Sequence, residues 1–181
     1  MESKELIFIK SDAIERKLVG AIITRFEDSG FKLLKVKKGR IPKELAHLLY
    51  PESETQLGGM GKKTLESMSQ KGGTQQVMEL FGTVEPLEIG KQLNGWNMTY
   101  ALSHEVIAIV LEGDDAANRA RTLVGKTDPS VSPKGTIRGD YGNDSIYQGN
   151  IEKRACMNMV HASDAETAAA DVANFEKHFF K

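Results

Sequence analysis

Leu6-Ile7-Phe8-Ile9-Lys10 is the stretch on which the fold turns. An uninterrupted apolar run closed by a lysine is the pattern of a strand buried on both faces, with Lys10 leaving the sheet at its edge. Downstream, Leu18, Ile22 and Phe26 recur every four residues with Ile23 beside them, and Gly30 stands where a helix C′ glycine belongs. Phe31 to Lys38 reads as a second strand whose lysines are solvated edge charges rather than a nucleic-acid surface. Pro42 opens a short helix through Leu45, Leu48 and Leu49 to Tyr50. Val106-Ile107-Ala108-Ile109-Val110-Leu111 is another buried strand, and Asp114 or Asp115 can cap a helix running through Ala117, Arg121 and Leu123 to Gly125. Asn158 to His161 is short and β-like, and Ser163-x-x-Glu166 is a capping box for an alanine-rich helix toward Phe175. This order fits an α/β sandwich with a largely antiparallel sheet and helices on one side. A doubly wound parallel sheet is the alternative, but no Gly-x-Gly-x-x-Gly follows the first strand, which counts against a dinucleotide fold.

Two segments resist this reading. Positions 51 to 104 mix Gly58-Gly59, Gly72-Gly73, Pro86 and Gly95 with helix-like pieces, and read as an excursion of loops and small helices. Gly61-Lys62-Lys63-Thr64 lacks the spacing of a phosphate-binding loop, because Gln56 and Lys63 break it, and reads as a solvated helix start. Positions 126 to 157 are rich in Gly, Pro, Asp and Ser, a long loop of the kind that carries function.

The chain has 181 residues, enough for one domain with an insertion, and its formal charge is −1. No overall field draws it to nucleic acid or anionic lipid, so an anion must meet a local site. The single cysteine, Cys156, cannot form an internal disulfide; it reads as a small buried hydrophobe in a cytoplasmic protein. The apolar runs are too short for a membrane span.

His161 precedes the capping Ser163 by two residues, so a helix N-terminus should face it, favouring phosphate and keeping the imidazole neutral and nucleophilic. Taken alone, a histidine beside a strand is more often structural. Arg121, Lys126, Thr127, Lys134, Thr136 and Arg138, interleaved with Gly125, Gly135 and Gly139, can clamp a polyphosphate or can simply line a solvated loop.

Four ordered stretches then carry a resemblance: Ile9-Lys10-Ser11-Asp12 with Arg16-Lys17-Leu18-Val19-Gly20; Arg121 through Pro129; Gly135-Thr136-Ile137-Arg138-Gly139-Asp140; and Asn158-Met159-Val160-His161-Ala162-Ser163-Asp164. The chain resembles the nucleoside diphosphate kinases over its length except near 51–104 and 141–157, which are longer than the usual family core. The resemblance implies a ferredoxin-like sandwich with a four-stranded antiparallel sheet and helices packed on it, in a single domain spanning residues 1–181. It implies that His161 takes the γ-phosphoryl of a nucleoside triphosphate and passes it to a diphosphate. It also implies that Lys10 and Asn158 hold the ribose hydroxyls, that Arg121, Thr127 and Arg138 grip phosphates, and that Tyr50 stands near the transferring group. Ser163 and an acid, Asp171 if one residue is deleted from the last helix, would orient the ring. Mg2+ would arrive on the nucleotide phosphates without a dedicated metal site, and a homo-oligomer, most readily a hexamer, is implied. Ser11 stands where the family usually has proline, and Lys17 where it has glycine. The base-stacking phenylalanine has no clear counterpart; Leu57 and Met60 are candidates, with Ala155 on the other side of the base. A catalytically weak relative that binds nucleotides or a partner through 51–104 is the competing reading.

Overall fold

The computed structural model describes residues 1–181. Four strands form one antiparallel sheet in the order β2-β3-β1-β4: β1 Glu2–Ile9, β2 Lys32–Arg40, β3 Glu105–Asp114 and β4 Val160–Ala162. β2 is an edge strand, which is why Lys32, Lys35 and Lys38 find room for ion pairs with Glu2, Glu176 and Glu105.

Helices α1 Ser11–Glu15, α2 Val19–Asp28 and α3 Lys43–Leu49 occupy the first half of the chain. α2 ends at Gly30, whose φ of +81° an L side chain would resist. α6 Ala116–Val124 follows β3, and α9 Ala168–His178 follows β4. Helices cover both faces of the sheet rather than one. Ile7 and Ile9 point into a core shared with Ile22 and Phe26 of α2 and Ala120 and Val124 of α6. Leu6 and Phe8 point the other way, into a core with Leu45 of α3 and Val172 and Phe175 of α9. The apolar run of β1 requires this: with period-two alternation, four apolar residues in a row leave two on each face.

Residues 51–104 are not loops and small helices but two long helices, α4 Glu54–Phe81 and α5 Pro86–Ser103, packed as a hairpin. α4 is kinked at Gly73 (φ 75°, ψ 167°). Where the helices cross, a Cβ on Gly61 would fall 1.7 Å from the Pro86 carbonyl oxygen, and one on Gly90 would fall 1.9 Å from that of Leu57. Gly61 and Gly90 are thus what lets the two backbones touch, and Gly61 lies inside α4, not at a helix start. Residues 126–157 also contain helices, α7 Ile137–Tyr141 and α8 Ile146–Ile151. α8 packs on α4, where Met68, Val77, Phe81, Ile89 and Leu93 form a satellite core joined by Trp96 and Tyr147. No helix is long and apolar enough to cross a membrane.

Candidate active site

At the end of β1, Lys10 Nζ donates to Asn158 Oδ1 at 2.7 Å, and Asn158 Nδ2 donates to the Thr127 carbonyl at 2.9 Å. Arg138, on α7, is nearly buried and ties two backbone segments together through three carbonyls: Nε donates to Asn158 O, Nη1 to Gly125 O and Nη2 to Val160 O, at 3.0, 3.0 and 2.6 Å. Met159 between them takes φ +65°, unusual for a side chain of its size. Its amide donates to Asp12 Oδ2 and its carbonyl accepts from the Lys10 amide, so two elements hold the strained turn that launches β4.

His161 follows on β4, opposite Phe8, and its ring stacks on the Phe8 ring with centroids 4.4 Å apart and planes within 8°. Its Nε2 is buried without a hydrogen-bond partner, while the residue lines a cavity of about 1170 Å³. The capping box does not form: α9 begins at Ala168, Ser163 Oγ has no partner, and the Ser163 amide donates to Glu5 Oε1 at 2.6 Å. The imidazole is nonetheless neutral, for another reason. Burial, then the charges of Lys10, Arg138 and Arg121, lower its pKa to about 3. Ser163 and Asp171 make no hydrogen bond to the ring; Asp171 accepts from the Thr167 hydroxyl at 3.0 Å.

Lys10, Tyr50, Arg121, Thr127, Arg138, Asn158 and His161 all line the one cavity. Lys126 and Arg154 join them, giving five cations against one carboxylate, Asp164, which is paired with Arg121. That lining suits a polyanion. Burial and the neighbouring Arg138 bring Lys10 down to about 8, and burial holds the Tyr50 phenol up at about 12, a neutral donor at physiological pH. No cluster of three or more His, Cys, Asp or Glu stands ready to ligate a metal.

Of the base-side candidates, Met60 and Ala155 reach the cavity; Leu57 is buried against Gly90 instead. Sequence reading missed Leu93 and Trp96 of α5, which form an apolar wall there. The chain's only tryptophan was the available signal, in a segment read as loop. Cys156 is also on the cavity wall and only partly buried, and burial raises its thiol to about 12, so it is present as the protonated form.

The nucleoside diphosphate kinase family model matches residues 3–70 and 88–180. A nucleoside diphosphate kinase from Pyrobaculum aerophilum is 38% identical over 166 residues, 92% of this chain and 90% of the relative. The crystal structure of an NDP kinase from that organism superposes with a TM-score of 0.90 at 34% identity, covering 100% of both chains. A halophilic nucleoside diphosphate kinase from Halobacterium salinarum, solved in complex with CDP, gives 0.63 at 28% identity over 100% of this chain and 90% of that one.

Proposed function

The chain belongs to the nucleoside diphosphate kinase family and transfers the terminal phosphoryl group of a nucleoside triphosphate to a diphosphate; we propose that the group travels on His161. The observation that carries this reading is the neutral imidazole on the wall of a cavity that Lys10, Arg121, Lys126, Arg138 and Arg154 also line.

With Nε2 buried, Nδ1 is the nitrogen that can meet a substrate. Nδ1 attacks the γ-phosphorus, the N–P bond forms, and the bridging P–O bond breaks with its electron pair leaving on the diphosphate. The second nucleotide's terminal β-oxygen then attacks phosphorus and returns the electron pair to Nδ1. One site therefore serves two nucleotides in turn. Phosphoryl transfer asks for alignment and positive charge around the equatorial oxygens more than for acid–base chemistry. In this proposal Arg121, Thr127 and Arg138 hold phosphates, Lys10 and Asn158 the ribose hydroxyls and the chain end, and Tyr50 borders the transferring group. Binding a nucleotide anion draws Arg121 from Asp164. Ser163 and Asp171 are the groups this reading assigns to support the ring, which requires a shift of the Ser163 hydroxyl and of the Asp171 carboxylate now held by Thr167. Mg2+ enters on the phosphates, where it offsets their charge.

Residues 1–181 form one kinase-like domain in this reading, enlarged near 51–104 and 141–157; the gap in the family match, 71–87, falls inside the first. Self-association, most simply as a hexamer, is supported by exposed Leu34 and Val36 on the edge strand and Val131 beyond α6. A chain with one cysteine suits the cytoplasm. Incubation with ATP, GDP and magnesium should yield GTP, and His161→Ala should abolish it. Equal turnover by the substituted protein would remove His161 from the mechanism, and absence of GTP from the native chain would favour the nucleotide-binding alternative.

A further inference from the structure

We propose that Tyr100, near the end of α5, is a positioning residue for phosphoryl transfer: its hydroxyl, acting through Asp12, fixes the Met159 turn that sets Asn158 and His161 in place. The proposal rests on the kinase reading for the reaction that this turn serves.

Tyr100 touches none of the groups assigned to the nucleotide phosphates, yet its hydroxyl is wholly committed to the two residues that follow Lys10. The phenol donates to Asp12 Oδ1 at 3.0 Å and accepts from Ser11 Oγ at 3.0 Å and from the Asp12 amide at 3.3 Å. That amide is among those that the start of α1 leaves without a helical partner. Ser11 stands where the family usually has proline, and proline has no hydroxyl to give. Burial, and then the charge of Asp12, push the phenol well above its ordinary range, so it stays protonated and remains a donor.

What the hydroxyl holds is a carboxylate with a second task. Asp12 is 6% exposed, and it accepts from Tyr100 on Oδ1 and from the Met159 amide on Oδ2, so Tyr100 is the one side chain that donates to it. Met159 takes φ +65°, a conformation that persists only where its surroundings impose it. Asn158, immediately before it, carries the Lys10 and Thr127 contacts, and His161 follows two residues after. Without the phenol, Oδ1 of a nearly buried carboxylate loses its partner, and Asp12 is free to turn toward water and away from the Met159 amide. A displacement on the order of 1 Å in this turn is carried to the imidazole, whose line of attack on phosphorus governs the rate. The Tyr100 ring also lies beneath Lys10, with Nζ 5.9 Å from its centroid, and Trp96, one turn earlier on α5, lines the cavity. One helix thus meets both the nucleotide cavity and the turn behind its reactive groups.

The test is Tyr100→Phe, which keeps the ring beneath Lys10 and removes only the hydroxyl. kcat for ATP with GDP should fall about tenfold while the dissociation constant of ADP, measured by titration calorimetry, stays within about twofold, since Arg121 and Thr127 are untouched. In the free protein, hydrogen exchange at the Met159 amide should quicken about tenfold, with the Ile109 amide in mid-sheet unchanged. Asp12→Ala should slow transfer at least as much, and adding Tyr100→Phe to it should slow transfer no further; should Asp12→Ala fail to fold, the Tyr100→Phe measurements decide alone. An unchanged kcat, a kcat that falls only in step with weakened ADP binding, or an unaltered Met159 exchange rate in Tyr100→Phe would overturn the proposal, as would deficits that multiply in the double variant. Faster Met159 exchange in Tyr100→Phe, with no transfer by the native chain, would remove the kinase reading alone.

Discussion

Glu5→Gln should make the protein more stable at alkaline pH and flatten the dependence of its stability on pH. Glu5 lies on β1 with no exposure, its Oε1 accepting the Ser163 amide and its Oε2 unpartnered. Burial outweighs that hydrogen bond and raises the carboxyl from 4.5 to about 8, with Asp171 adding to the rise and Arg121 opposing it. The folded state therefore keeps a proton that the unfolded chain releases near 4.5. Below that value both states are protonated and the group contributes no pH dependence. Between 4.5 and about 8 the folded state binds the extra proton, so stability falls as pH rises, and above about 8 the loss is complete. At 1.36 kcal/mol per pKa unit the loss approaches about 5 kcal/mol, an upper bound because water entry and relaxation would soften it. Glutamine keeps the carbonyl acceptor for Ser163 and carries no charge. Urea unfolding of both proteins at pH 5, 6, 7, 8 and 9 should give curves that converge at pH 5 and separate by about 2 kcal/mol or more at pH 9, with Glu5→Gln the more stable. Parallel curves, or a native protein gaining stability over that range relative to the variant, would refute the reasoning.

The His161 ring should show no titration by NMR from pH 8 down to pH 4.5 in the free protein, because its pKa lies near 3; a midpoint near 6.5 would mean that the ring is solvated and away from its cations. kcat/KM should fall as pH rises through about 8, where Lys10 loses its proton while the nucleotide phosphates are already fully ionised; a flat profile to pH 9.5 would remove Lys10's charge from the reaction. Gly61→Ala should destabilise the protein by about 2 kcal/mol or more and weaken nucleotide binding, since its methyl would lie 1.7 Å from the Pro86 carbonyl oxygen; native stability by urea unfolding would show that the α4 and α5 crossing is looser than described.

The parts of the fold that were legible in the sequence are those in which one physical demand dominates. Leu6 to Ile9 can only be a doubly covered strand, and the spacing of Leu18, Ile22 and Phe26 with a terminal Gly30 can only be an amphipathic helix. α4 and α5 were hidden because Gly58, Gly59, Gly61 and Gly90 have low helix propensity, and only the tertiary crossing shows what the missing side chains of Gly61 and Gly90 are for. Ser163 and Glu166 have the spacing of a capping box, yet the Ser163 amide is claimed by Glu5, a partner 158 residues away that no local pattern reveals. The cationic side chains of the site were readable as a set, and the structure brings Lys10, Arg121 and Arg138 to one cavity. What neutralises His161 was not: a helix end was expected, whereas burial and those same cations do it. The far wall, with Trp96, Thr64 and Asn150, stayed invisible because it is built from the two segments that lacked periodicity.

Rapid mixing with radiolabelled ATP in the absence of any diphosphate tests the relay through His161 most directly. The account predicts one equivalent of ADP per chain, and a protein-bound phosphoryl group that survives base, is lost in acid and is missing from His161→Ala. Phosphate stable to acid, a label retained by His161→Ala, or ADP formed only once a second nucleotide is present would contradict it.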